Sequence, residues 1–133
     1  MTATATPART TSTARRALWV LQILIGLFFV IASAAPKLLG EPSTVALFTE
    51  IGGGDAFRIF VGLVELAGGI GLLVPRLAGL AALGLVGLMI GATYTQITVF
   101  DTPATTVTPI ILGVLVAGIA WVRRAEITAL FRR

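Results

Sequence analysis

The 133 residues contain no cysteine and no histidine, only two methionines and only six acidic side chains. Without thiols the chain can form no disulfide, perform no thiol exchange and hold no thiolate-bound iron–sulfur cluster. Without imidazole it lacks a common haem ligand and the base of the usual hydrolytic triads. Met1 and Met89 make no paired sulfur ligands, and the carboxylates are scattered, so no metal site is expected. An autonomous redox enzyme or hydrolase is therefore not the expectation, and no catalytic residue is assigned.

What the chain has in excess is apolar surface: 56% hydrophobic against 12% charged residues, with a mean hydropathy of +0.99. Four long apolar runs recur, at about 17–35, 56–74, 77–100 and 105–122. At roughly 1.5 Å per residue, each is long enough to cross a hydrocarbon core about 30 Å thick as one helix. The expected fold class is all-α: an antiparallel bundle of four transmembrane helices over residues 17–133. Residues 1–16, basic and rich in Thr and Ala, are expected to form a disordered cytoplasmic tail.

Charge sets the orientation. Arg9, Arg15, Arg16, Arg76, Arg123, Arg124, Arg132 and Arg133 fall on one side of such a bundle, leaving Lys37 and Arg58 with most of the acids on the other. By the positive-inside rule both termini face the cytoplasm. The pI of about 11.2 then reflects topology and contact with anionic lipid, not nucleic-acid binding. Arginines before an apolar stretch that ends in Ala32-Ser33-Ala34 also have the layout of a cleavable signal peptide. Helical continuity to Leu38-Leu39 favours a retained span, and intact mass separates the two.

The connections are short except one. Pro75-Arg76 predicts a tight hairpin, and Asp101-Thr102-Pro103 a second turn. The outer segment from Gly40 to Asp55 predicts a short interfacial helix, with Pro42 at its first position and Leu47, Phe48 and Ile51 on one face. Gly52-Gly53-Gly54 follows as its exit, and Asp55 is expected to cap the next span. Between the spans, Gly62, Gly68 and Gly69, with Gly84, Gly87 and Gly91, are expected to let helix backbones approach, since lipid tails give apolar helices no reason to associate.

The most informative residue is Glu65, alone in the middle of the second apolar run. A charged group there costs roughly 2.5–3.5 kcal/mol on insertion scales, so it persists only when paired, protonated or turned to a polar interior. Arg58, Gly62, Glu65 and Gly69 share one helical face; Gln22, Gly26, Ser33 and Lys37 make a similar stripe in the first span. Pro36 is expected to disturb that span's last turn. Thr93 to Thr98 concentrate polarity in the outer half of the third. A polar pocket centred on Glu65 is expected there, with Lys37, Arg58, Tyr94 and Gln96 as candidate partners. Each has a plainer reading: Lys37 and Arg58 as snorkelling anchors, Tyr94 as an interfacial aromatic, Gln96 as an interhelical bond, Glu65 as half of a structural ion pair.

The segments Lys37-Leu38-Leu39-Gly40 and Gly62-Leu63-Val64-Glu65-Leu66-Ala67-Gly68-Gly69, with Met89-Ile90-Gly91-Ala92 in the third run, resemble the DoxX and DoxX-like family of small bacterial membrane proteins. The resemblance covers roughly Leu18 to Val122. It implies four membrane-spanning helices in which Lys37-Leu38, and Glu65 followed by Gly68 and Gly69, are typical elements. Some relatives are subunits of thiosulfate:quinone oxidoreductase; others are linked to membrane oxidoreductase complexes and to thiol or oxidative-stress responses. The resemblance thus implies a membrane subunit or anchor of an oxidoreductase-associated complex, with a soluble or membrane oxidoreductase as partner. With no thiol or imidazole in the chain, redox work would have to use a bound quinone or a partner's cofactor. The alternative is a small transporter or lipid-binding bundle, acting as a homo-oligomer because four short helices enclose little space. Fold kinship alone does not transfer chemistry.

Overall fold

The structure, a computed structural model, describes residues 8–100 and 103–132. Among them there is no strand, and four helical stretches are long and apolar enough to cross a membrane: Thr13–Leu39, Gly54–Leu73, Ala78–Thr98 and Ala104–Val122. In hydrocarbon every backbone N–H and C=O must be satisfied within the protein, and helices do this segment by segment. Val20, Leu24, Ile31, Phe60, Ile90 and Val114 are all more than half exposed, as suits surfaces that meet acyl chains rather than water.

The first span is not one uniform helix. α1 (Ala8–Leu27) runs into a π-helical segment, Phe28–Ala34, and resumes as α2 (Ala35–Leu39). Pro36 has no N–H to offer and its ring crowds the carbonyl four residues back; a wider turn before it, in which Ala35 N–H bonds Val30 O, relieves both. The disturbance expected in the last turn therefore lies one to two turns earlier. α1 also begins before the expected boundary. Residues 8–16, read from sequence as part of a disordered tail, fall within α1; Met1–Pro7 lie outside the described residues.

α3 (Pro42–Ile51) forms in the outer loop, with Pro42 at its first turn and Gly52 in the left-handed region, φ +94°, at its end. Its cap is Glu41, whose carboxylate accepts from the N–H groups of Ser43 and Thr44. α4 (Gly54–Leu73) is flanked by Gly53, not capped by Asp55. That correction has a simple cause: Gly54 adopts φ +66° and already opens the helix, so Asp55 falls within the first turn and pairs with Arg58. α5 (Ala78–Thr98) follows the Val74–Leu77 turn. The turn expected at Asp101-Thr102 lies outside the described residues. A short 3-10 turn, Pro103–Thr106, leads into α6 (Val107–Val122), and α7 (Arg124–Phe131) ends the described chain.

α4 lies between the first span and α5, and α5 between α4 and α6. All three pairings are antiparallel: Gly26 meets Gly69 and Gln22 meets Leu72, Gly68 meets Leu85, and Met89 meets Gly113. A Cβ on Gly69 would sit 2.8 Å from Gly26 O, and one on Gly68 2.7 Å from Leu85 Cδ2. Gly84, Gly87 and Gly91 behave differently. They are exposed, and among the described residues a Cβ on any of them would meet nothing within 4 Å, so they pack against none of the described helices. The apolar core gathers Ile25, Phe29, Leu72, Ala82, Leu85, Val116 and Ile119. These belong to the half of the bundle that ends in the α4–α5 turn, so the other half is free to hold polar groups and space.

Candidate functional site

In the half away from the α4–α5 turn, α4 turns a buried stripe of Arg58, Gly62, Glu65 and Gly69 toward the first span. Glu65 is only 4% exposed and is met by two groups one helical turn apart. Ser33 Oγ donates to Glu65 Oε2 at 2.7 Å, and Lys37 Nζ lies 2.8 Å from Glu65 Oε1, a close ion pair without hydrogen-bond alignment. Lys37 Nζ also donates to Ser33 O and Ser33 Oγ, each at 3.2 Å. The three side chains form a closed network in which the carboxylate is held by an ammonium and a hydroxyl. A buried acid is tolerable in a membrane on these terms.

Local structure explains how they meet. Ser33 is in the π-helical segment and Lys37 in the α-helical turn beyond it, so the wider winding sets both on the face toward α4. Gly62 removes the obstacle: a Cβ there would lie 3.1 Å from Lys37 Cβ and 2.9 Å from Leu38 Cδ2. Arg58 does not touch Glu65. It donates to the backbone carbonyl of Lys37 and, at 3.2 Å, to Asp55 Oδ1, which fastens α4 to the end of α2 and fixes the backbone that carries the ammonium. Its Nε is buried without a partner.

The network opens onto a cavity of about 480 Å³ between α3, α4 and α5. Lys37 and Glu65 line it together with Leu47, Phe48 and Ile51 of α3, Phe57 and Val61 of α4, and residues from Gly87 to Phe100 along α5. Phe48 and Phe57 meet edge to face with ring centroids 5.7 Å apart. Tyr94 and Gln96 are on this wall, not at the carboxylate; Tyr94 is largely exposed, and Gln96 Oε1 accepts from Thr105 Oγ1 at 2.7 Å, joining α5 to the 3-10 turn before α6. Gly87 and Gly91 belong to the same wall, where missing side chains leave room. Of the four proposed partners of Glu65, then, Lys37 makes direct contact, Arg58 acts through Lys37's carbonyl, and Tyr94 and Gln96 border the adjoining space.

Two participants escaped the sequence reading. Ser33 was placed on the correct stripe but not at the acid; its spacing of four from Lys37 was the available signal. At the other end, Arg123 looked like one more topological charge, yet it is buried and donates from Nε to Gln22 Oε1 at 2.5 Å, while Gln22 Nε2 donates to Leu72 O at 3.0 Å. Arg123 also pairs with Glu126 at 2.7 Å and stacks on Trp19 at 5.1 Å. No motif announces such a contact across about a hundred residues.

Among the described residues no group of three or more acidic side chains converges as a metal site would require. No curated protein and no solved structure matches the chain. The DoxX-like family matches it over residues 20–119, which reaches into all four spans and includes the Lys37–Ser33–Glu65 network and the cavity beside it. With four apolar helices of membrane-crossing length, this is a multi-pass membrane protein, and the chain belongs to the DoxX-like family.

Proposed function

We propose that the protein binds a small amphipathic molecule, a quinone in the first instance, in the cavity beside Lys37 and Glu65, and that it serves as a membrane subunit or anchor for an oxidoreductase. The observation that carries this reading is a largely buried ion pair opening onto a space of about 480 Å³ whose other walls are mostly aromatic and aliphatic, with Thr95 and Gln96 among them. Ligand sites combine mostly apolar walls with a few placed polar groups in this way. A quinone ring suits Phe48, Phe57 and Tyr94 as packing surfaces, with the Lys37 ammonium as donor to a carbonyl oxygen and Glu65 Oε1, which accepts no aligned hydrogen bond among the described residues, as acceptor from a hydroxyl of the reduced quinol. Such a molecule would supply electron and proton acceptance that the side chains themselves lack. Arg58 and Ser33 hold the ammonium and the carboxylate in place.

In this reading the protein lies in a bacterial inner membrane, with the end bearing Arg15, Arg16, Arg76, Arg124 and Arg132 on the cytoplasmic side. The oxidoreductase association rests on the resemblance of the Lys37-Leu38 and Glu65–Gly69 elements to relatives that work in such complexes. A transporter or lipid-handling bundle, acting as a homo-oligomer, is the second reading, favoured by Gly87 and Gly91, which leave the cavity wall thin on the lipid side.

Purification in mild detergent, with mass spectrometry of bound proteins and lipophilic molecules, tests both. A co-purifying oxidoreductase and a bound quinone are expected, together with a rise in melting temperature on adding a short-chain quinone; at one hundred times the dissociation constant the stabilisation is about 2.7 kcal/mol. Glu65→Gln should abolish that response. Stabilisation by another lipophilic solute, lost in Glu65→Gln and with no protein partner, would replace the first reading with the second.

A further inference from the structure

At the opposite end of the molecule, α7 folds across the start of α5, where a Cβ on Gly79 would lie 2.9 Å from Ile127 Cγ1 and 3.0 Å from Arg123 O. Its inner face, Glu126, Ile127 and Leu130, is partly buried. Its outer face carries Arg124, Thr128 and Arg132 at steps of four, which line a groove of about 560 Å³ with Ala125 and Ala129 as its floor. Among the described residues no acid offsets this charge: Glu126, the one acidic residue after Asp101, is engaged by Arg123 at 2.7 Å, and the Arg132 guanidinium has no ion-pair partner among them.

Arg124 is also held in a defined pose. Its guanidinium stacks on Trp121 at 4.3 Å and donates from Nη1 to Trp121 O at 2.6 Å, while the residue as a whole stays exposed. Trp121, near the end of α6, and Phe131, at the end of α7, are 67% and 75% exposed. Exposed aromatics beside arginines belong at the headgroup level of a bilayer, where the ring meets acyl chain and the cation meets phosphate. Guanidinium also matches the geometry of phosphate oxygens better than a point charge does.

We infer that the outer face of α7 is a binding site for anionic phospholipid, with the headgroup phosphate between Arg124 and Arg132 above Thr128. It is independent of the cavity beside Glu65. The test uses the full chain in phosphatidylcholine micelles titrated with phosphatidylglycerol, reading retained lipid by native mass spectrometry and stability by thermal unfolding. Phosphatidylglycerol should bind and stabilise where further phosphatidylcholine does not. The lipid fraction giving half the effect should rise about tenfold or more in R124Q/R132Q, the scale expected for two near-surface charges. It should rise much less in R15Q/R16Q, which removes equal charge elsewhere. Thr128→Leu, which fills the groove without changing charge, should weaken retention as well and covers the case in which the double variant folds poorly. Equal loss in both arginine pairs would reduce the effect to diffuse charge and overturn the site, as would an unaltered Thr128→Leu variant. Inorganic phosphate reproducing the stabilisation would overturn the lipid assignment.

Discussion

The Lys37–Glu65 pair is asymmetric, and the asymmetry has consequences for mutation. Glu65 is nearly closed off from its surroundings, whereas the side chain of Lys37 is 18% exposed and long enough to carry its ammonium toward the interface. Lys37→Met strands a buried carboxylate with only Ser33 beside it and should cost about 3–5 kcal/mol. Glu65→Gln keeps an acceptor for Ser33 Oγ and frees a lysine that can reach water, so about 1–2 kcal/mol is expected. Thermal unfolding in one detergent compares the two; equal losses would mean that Glu65 is better solvated than its surroundings imply. Replacing both by apolar residues of similar size should restore much of the stability while abolishing the ligand response, because a buried pair adds little net stability over a packed apolar substitute. The acid itself was legible from the sequence, since one carboxyl in an apolar run demands a partner. Lys37 was legible too, by its stripe. Arg58 was not, because its bond goes to a backbone carbonyl, and helical periodicity places side chains on faces without saying which main-chain atom they meet.

Helices differ in how they use glycine. Gly69 faces Gly26 backbone at a distance that admits no Cβ, so Gly69→Ala must push the first span from α4 and should destabilise by about 1–3 kcal/mol. Gly91 faces open space on the cavity wall. Gly91→Leu should leave the unliganded protein as stable or up to about 1 kcal/mol more stable, through better helix propensity, yet suppress ligand-induced stabilisation by filling the cavity. Similar effects of the two substitutions on unfolding and ligand response would contradict this division. Sequence spacing alone could not make it, since small residues three and four apart look alike whether they meet a helix or a void. α3 gives a pH-dependent expectation. The hydroxyl and N–H of Ser43, with smaller help from Thr44, hold the Glu41 carboxyl below its ordinary value of 4.5, against a slight opposing effect of burial. A carboxyl lowered in the folded state stabilises above its unfolded value and loses that contribution as pH falls through the folded one. Amide exchange at the start of α3 should therefore stay protected above pH 4.5 and become faster below it; in Glu41→Gln the pH step should vanish once intrinsic exchange is subtracted.

Across the whole molecule the two halves of the bundle differ in what they bury. The half ending at the α4–α5 turn holds the apolar core and is closed by Arg123, which reaches Gln22 while Gln22 reaches Leu72. The other half holds an ion pair and a cavity. The number, approximate limits and antiparallel order of the spans follow from four apolar runs joined by short turns, and so were readable beforehand. The π-helical segment and the Arg123 latch were not: one depends on how the chain relieves Pro36, the other on a contact formed only after α1 and α6 are brought together. If the halves are separate in energy as well as in composition, damage to one should spare the other. Arg123→Met should cost about 2 kcal/mol, less than a fully buried pair because Glu126 is partly exposed and can rehydrate. Amide exchange should quicken in α7 and in α1 around Gln22, while the response to ligand in the cavity changes less than about twofold, the spread expected of distant, uncoupled sites. Loss of ligand response in this variant would mean instead that the latch and the Lys37–Glu65 site belong to one cooperative unit, transmitted along the first span through its π-helical turn.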